Sequence, residues 1–116
     1  MNSHAEMVTK KMVTTSSELP GFHIVENKGI VRGIVVRSNN IIGSMFGGLR
    51  SIFGGNITVF RDMCDKARAD AYAEMVEHAL EAGGNAVIMV RYESTELQPG
   101  VTEVLAYGTA VKAVAV

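Results

Sequence analysis

Three side chains, Asp70, Glu74 and His78, have the types and the spacing of a metal-binding stripe. Because they are four residues apart, a helix would stack them on one side, with Glu77 and Glu81 alongside. Two carboxylates and an imidazole within reach of one another can hold a divalent cation. The simpler interpretation is a solvated acidic face without a ligand, as is common on exposed helices. We favour the simpler interpretation and keep the three residues as candidate metal ligands.

The other soft-metal ligands are scattered along the chain. Thiolate and imidazole sites need clustered ligands, and the chain has no Cys-x-x-Cys pair. Its one cysteine, Cys64, falls on the apolar side of a predicted helix, so we expect it to pack in the core. His4 and His23 lie far apart in sequence, and Met63, Met75 and Met89 are expected to fill the core. A divalent metal ion is the only cofactor that these residues suggest.

A second set of candidate binding residues is Arg68, Tyr107 and Thr109, for a ligand or for an interface. Arg68 could pair with a carboxylate of another subunit, such as Glu103, or present its guanidinium fork to an anion. We favour the ion pair, because bidentate arginine contacts commonly fix interfaces. Tyr107 and Thr109 could line the same region, or could only satisfy contacts of the sheet and the core.

No arrangement of residues points to catalysis. Cys64 has no base at a known spacing, and no serine lies in a nucleophile elbow. We therefore predict a non-enzymatic protein. The alternative is an enzyme of unknown reaction with a site between subunits, built from Arg68, Tyr107 and a carboxylate.

The bulk composition is that of one globular domain. A length of 116 residues suits a single core, and a net charge of −1 gives no attraction to nucleic acid or to an anionic membrane. One cysteine excludes an intramolecular disulfide, and the first residues lack the apolar stretch of a signal peptide, so we predict a cytoplasmic location. We expect residues 1–11 to be a disordered leader and residues 12–116 to form a single domain.

Hydrophobic periodicity predicts a helix from about Thr58 to Ala82, which Gly83 ends. At ~1.5 Å per residue this helix would be nearly 40 Å long, so part of its face is expected to meet another subunit. β-branched runs predict strands over residues 30–37, 85–93 and 101–116, with shorter runs at 12–15 and 22–25. Asn27–Gly29 is expected to be a turn, and Gly33 to mark a bulge or a close backbone approach. The fold predicted is α+β, a two-layer sandwich of one long helix on a mainly antiparallel sheet.

The segment Ile41–Gly55 is rich in glycine and apolar residues. It is too short and too glycine-rich to span a membrane, and it lacks the Gly-Lys-Ser/Thr ending of a phosphate-binding loop. We favour an apolar connection packed on the sheet or on another subunit. Contact with a membrane through residues 41–60 is the remaining alternative.

Several short motifs, in this order and spacing, make the chain resemble the YbjQ-like family, which carries a heavy-metal-binding label. The resemblance covers nearly the whole chain, from about Met12 to Val114. It implies an α+β subunit in a ring-like homo-oligomer, a pentamer, whose sheets join around an axis, and it implies no established reaction. The matching pieces are Thr14-Thr15, Pro20-Gly21, Gly33, Gly54-Gly55, Ala67-Arg68, Met75, Ala79, Gly83-Gly84-Asn85-Ala86-Val87 and Tyr107-Gly108-Thr109-Ala110-Val111.

Overall fold

The computed structural model describes residues 3–38 and 55–116 as an α+β fold, which confirms the predicted class. The three strands form an antiparallel sheet in the order β1-β3-β2. The elements in chain order are α1 (Ser3–Thr9), β1 (Phe22–Ser38), α2 (Gly55–Glu81), β2 (Ala86–Gln98) and β3 (Val101–Ala115). The segment 41–54, for which we weighed loop, membrane and interface roles, lies outside the described residues.

The described residues contain two helices where one was expected. Ser3–Thr9, within the expected leader, form the short helix α1. The physical reason is burial of apolar side chains, because Met7 and Met12 are 3% and 5% exposed in the common core. A two-residue connection at Lys10–Lys11 follows, where Lys11 has a positive φ of 57°.

The strand β1 is continuous over 17 residues, whereas the sequence predicted two runs separated by a turn. The expected turn at Asn27–Gly29 is a bulge, because the pairing with β3 shifts register there and then continues. Gly29 has a φ of 99° and donates its amide to Asn27 Oδ1 at 2.7 Å. Turn-forming residues therefore make a local irregularity inside a longer ladder.

A row of small buried residues brings α2 close to the sheet. Its core stripe is Ala67, Ala71, Met75 and Ala79, at four-residue spacing and at most 3% exposed. A Cβ atom at Gly33 would collide with the carbonyl of Ala71, so the expected close approach is confirmed. The helix α2 ends in a Schellman motif. Gly83 has a φ of 91°, and Gly84 donates its amide hydrogen to Ala79 O at 2.9 Å.

Because α2 packs on one face of the sheet, the residues that the structure describes leave the opposite face uncovered. Residues that pair directly across the strands point to the same side of the sheet. The buried partners Val35 and Val104 lie on the helix side, so the alternating residues lie on the other. We call that other side the open face; its residues are Ile30, Arg32, Ile34 and Val36 of β1, Arg91, Glu93 and Thr95 of β2, and Glu103, Leu105, Tyr107 and Thr109 of β3.

Candidate functional site

The stripe of Asp70, Glu74 and His78 lies along the outer edge of β1. Glu74 Oε1 accepts a hydrogen bond from the main-chain N–H of Ile34 at 2.8 Å. One turn further on, Nδ1 of His78 lies 2.6 Å from the main-chain oxygen of Arg32. Since that carbonyl can only accept, the Nδ1 atom must be the protonated nitrogen.

Matching periodicities explain why the helix and the strand meet at regular intervals. Four residues of an α-helix advance by about 6 Å, and two residues of a β-strand by about 6.6 Å. A polar side chain on every fourth residue of α2 can therefore meet a main-chain group at about every second residue of β1. The stripe that suggested a metal site is thus a connection between two elements.

The third member of the stripe, Asp70, is held by two cations. Its carboxylate accepts hydrogen bonds from Arg37 Nη2 at 2.8 Å and from Lys66 Nζ at 2.9 Å. The hydrogen bond from Lys66, helped by the charge of Arg37, holds the pKa of Asp70 below its ordinary value. Asp70 therefore stays ionised to lower pH than an isolated aspartate does.

Metal binding by the stripe of Asp70, Glu74 and His78 stays a prediction. Over residues 3–38 and 55–116, no three His, Cys, Asp or Glu side chains are arranged to hold a metal ion. Oxygens of Asp70 and Glu74 already accept hydrogen bonds from other groups of the chain. His78 is different, because protonation at Nδ1 leaves a lone pair at Nε2 when the ring is neutral. Metal-binding histidines commonly bond a main-chain carbonyl in this way.

The remaining soft-metal residues are divided between the core and the surface, and Met75 is fully buried, as expected. Cys64 is exposed, which contradicts the expectation that it is a core residue. It lies one turn before Ala67, where the buried stripe of α2 begins among the side chains described. Met89 is 42% exposed with a positive φ of 57°, so it does not fill the core either, and His23 is exposed.

Arg68 lies on the helix side of the sheet beside two tyrosines that the sequence did not single out. Burial raises the pKa of Tyr92, and the nearby charge of Arg68 partly offsets that rise. Burial also raises the pKa of Tyr72, to which the neighbouring Tyr92 adds. We call Arg68, Tyr72 and Tyr92 the helix-side cluster. In the sequence, the four-residue spacing of Arg68 and Tyr72 could have indicated part of this cluster, because it places both side chains on one side of a helix.

The other two candidate residues, Tyr107 and Thr109, lie on the open face. Tyr107 donates its hydroxyl hydrogen to Glu93 Oε2 at 2.9 Å, and this bond raises the pKa of the tyrosine. Glu103, the expected partner of Arg68, is on the open face as well. Arg68 and these residues are therefore on opposite sides of the sheet, so a shared site requires two copies of the chain.

A cavity of about 300 Å³ lies elsewhere, between α1 and the end of α2. Met7, Lys10, Phe22, Leu80 and Asn85 are among its lining residues. The side chain of Asn85 bonds both main-chain groups of Ala113, at 2.9 Å to the oxygen and 2.8 Å to the nitrogen, so it is committed to the fold. None of the candidate site residues lines this cavity.

The described residues form a small α+β domain with a helix packed on one face of its sheet. A family model described as "Putative heavy-metal-binding" matches residues 11–114. The chain belongs to this YbjQ-like family, as the resemblance indicated. It is 56% identical over 106 residues to a UPF0145 protein of Chromobacterium violaceum, covering 91% of each chain. It is 52% identical over 108 residues to a UPF0145 protein of Solibacter usitatus, covering 93% of this chain and 96% of the relative.

A solved structure shares the fold at low sequence identity. It is the crystal structure of a protein of unknown function from Pediococcus pentosaceus, described as a member of the DUF74 family. The match covers 86% of this chain and 94% of that one, with a TM-score of 0.58 and 18% identity. Among the helices that the structure describes, none has the length and apolar character needed to cross a membrane.

Proposed function

We propose that the chain is a non-enzymatic, homo-oligomeric binding protein of the cytoplasm, and that copies close into a ring and bind a metal or small ligand between them. The observation that carries the proposal is the uncovered apolar part of the open face. Ile30 is 82% exposed, Val36 is 51% exposed and Ile34 is 36% exposed, side by side along β1. Contiguous apolar residues on a small domain typically mark an interaction surface.

A second uncovered surface favours a ring over a two-fold dimer. The helix-side cluster lies over β2, which α2 scarcely touches, and Tyr92 there is 43% exposed. If the open face of one copy contacts the helix side of the next, the two contacting surfaces differ. Such heterologous contacts generate rings when the rotation closes. The pentamer implied by the family resemblance is one such ring.

The same contact would bring the separated candidate residues together. Arg68 on the helix side of one copy would face Glu103, Tyr107 and Thr109 on the open face of the next. A guanidinium facing a carboxylate across an interface can form a bidentate pair or accept an anionic ligand between the copies. The proposal therefore places the shared site where these two surfaces meet.

The chain's contribution to a metal site would be His78. Its Nδ1–H bond to Arg32 orients the ring, and its exposed side chain presents Nε2 to the surroundings. Since one copy provides no group of three ligands within residues 3–38 and 55–116, a complete coordination shell needs donors from a second copy. Metal binding is therefore a consequence of assembly in this proposal.

Native mass spectrometry of the protein and of Ile30→Asp tests the assembly. A buried charge at position 30 would cost several kcal/mol without a partner, so the variant should dissociate into monomers. Val116→Asp is the matched control, because Val116 is 81% exposed but lies at the end of the chain, outside the open face. A monomeric parent protein, or an oligomer that Ile30→Asp leaves intact, would contradict the proposal.

Elemental analysis of the same samples tests the metal. Protein dialysed against zinc, copper or nickel should retain a stoichiometric amount, and His78→Ala should lose it. The monomeric Ile30→Asp variant should also lose it, although its His78 is intact. A parent oligomer that retains no metal removes metal binding and leaves the assembly standing.

A further inference from the structure

The outer edge of β1 is occupied by side chains of α2. In an antiparallel ladder, alternate residues of an edge strand turn both main-chain groups away from their partner strand. Ile34 and Arg32 are such residues, because their outward groups bond Glu74 at 2.8 Å and His78 at 2.6 Å. Another strand cannot pair at these positions while the two bonds exist.

The outer edge of β2 differs in its second half. The main-chain N–H and C=O of Ile34 point away from β3, so those of its partner Leu105 point away from β1 and toward β2. On β2, Leu105 pairs with Glu93, whose main-chain groups therefore point toward β3. The alternate residues of β2 therefore turn outward, and within residues 3–38 and 55–116 no main-chain bond to another segment is found for them. These residues are Tyr92, Ser94 and Glu96.

The first half of the same edge shows that it accepts an added strand. Residues 12–16 of the chain run alongside it, with a parallel bridge between Val13 and Val87. Thr14 donates its amide to Val87 O at 2.9 Å, and Val87 donates its amide to Met12 O at 2.9 Å. The second half therefore continues an edge that already pairs in this way.

We propose that Glu74 and His78 block pairing between the β1 edge of one copy and the β2 edge of a second copy. We call this pair of side chains the guard, and a variant that lacks them unguarded. With β1 unguarded, β2 of one copy would pair with β1 of the next in a continuous sheet. Such head-to-tail pairing leads to filaments wherever the rotation from one copy to the next does not close into a ring. The guard removes one of the two edges that this growth needs, and it operates whether or not the copies form the ring proposed above.

Sedimentation of the double variant Glu74→Ala/His78→Ala over a wide range of protein concentration tests the guard. We expect its mean mass to rise at least about tenfold above that of the parent as concentration increases. The matched control is Glu77→Ala/Glu81→Ala, which removes two exposed side chains of the same helix that make no hydrogen bond in the described part of the chain. An unchanged mass for Glu74→Ala/His78→Ala, or equal growth in the control, would overturn the proposal.

A third substitution identifies the edge that is added. Ser94→Pro in the unguarded variant removes an outward N–H without touching the ladder to β3. We expect the mean mass of this triple variant to equal that of the parent protein. Growth that persists in Ser94→Pro excludes the β2 edge as the partner and overturns the proposal as stated.

Amide exchange keeps the test decisive if the double variant does not fold. The Ile34 amide should exchange about tenfold faster in Glu74→Ala, because its acceptor is gone. In Glu74→Gln it should exchange at the parent rate, since the side-chain amide oxygen still accepts. An unchanged rate in Glu74→Ala would show that the edge is not held by this side chain.

Discussion

Gly33 of β1 and Ala71 of α2 contact each other backbone to backbone. A Cβ atom at Gly33 would collide with the carbonyl of Ala71 and would lie 2.8 Å from the amide of Met75. Only a glycine lets the helix approach the strand this closely, and the approach brings Glu74 within hydrogen-bond distance of Ile34. The contact of Glu74 with the edge of β1 therefore depends on Gly33, a residue without a side chain.

Gly33→Ala should destabilise the fold by about 3 kcal/mol, because relieving the clash requires a backbone shift at a packed contact. Urea unfolding gives the change in free energy. Gly29→Asn is the control, since the Cβ position of Gly29 is open and its cost is the strain of a positive φ, which asparagine bears better than most residues. A loss for Gly33→Ala no greater than that of the control would show that the helix and the strand can separate easily.

Asp70→Asn should lower stability at neutral pH and have no effect in strong acid. The pKa of Asp70 is lowered in the folded state, first by the hydrogen bond from Lys66, so its contribution is present above the ordinary value of 3.8 and disappears as the pH falls through the folded pKa. Urea midpoints of parent and variant should therefore converge below that pH. Midpoints that stay equally separated at every pH would contradict this account.

Glu93→Ala should lower the pKa of Tyr107 toward its ordinary value of 10.0. The folded pKa is raised chiefly because the hydroxyl donates to the Glu93 carboxylate, and the bond is lost when the phenol ionises. Carbon NMR of labelled tyrosine resolves this titration. Glu96→Ala, on the same strand, should leave it unchanged, and an equal shift in both variants would assign the effect to general charge.

Asn85→Ala should cost about 2 kcal/mol, since it removes two hydrogen bonds to the main chain of Ala113. Asn85→Asp keeps the acceptor oxygen but sets a second carboxylate oxygen against the main-chain oxygen of Ala113, where two acceptors repel, so it should cost at least as much as the alanine variant. Thermal unfolding compares the three proteins. If both variants are as stable as the parent, the two bonds do not contribute in the way that their geometry indicates.

The candidate site was only partly predictable, as His78 and Arg68 illustrate. The spacing of Asp70, Glu74 and His78 correctly indicated one shared side of a helix, since helical periodicity is local. The partners of that side, Arg37 and main-chain groups of β1, depend on how the helix docks. Arg68 stood out by its type, but its neighbour Tyr92 lies on a strand and is 24 residues further along the chain.

The local sequence pattern also gave wrong predictions for residues whose structure depends on segments far away in the chain. The turn residues Asn27–Gly29 make a bulge because β3 pairs with β1 on both sides of them. Cys64 has the apolar spacing of its helix, yet it lies outside the buried stripe that begins at Ala67. In both cases the tertiary partner decided the outcome.

The amino-acid sequence by itself determined the α+β class, the stop of the long helix at Gly83 and the family to which the chain belongs. These depend on periodicity, on glycine and on short motifs, all of which act within a few residues. Tertiary structure alone decided that Glu74 and His78 bind the edge of β1, and that Arg68 and Tyr107 face opposite sides of the sheet. The physical reason is that register and docking are set by contacts between segments about 40 residues apart, and no local preference specifies those contacts.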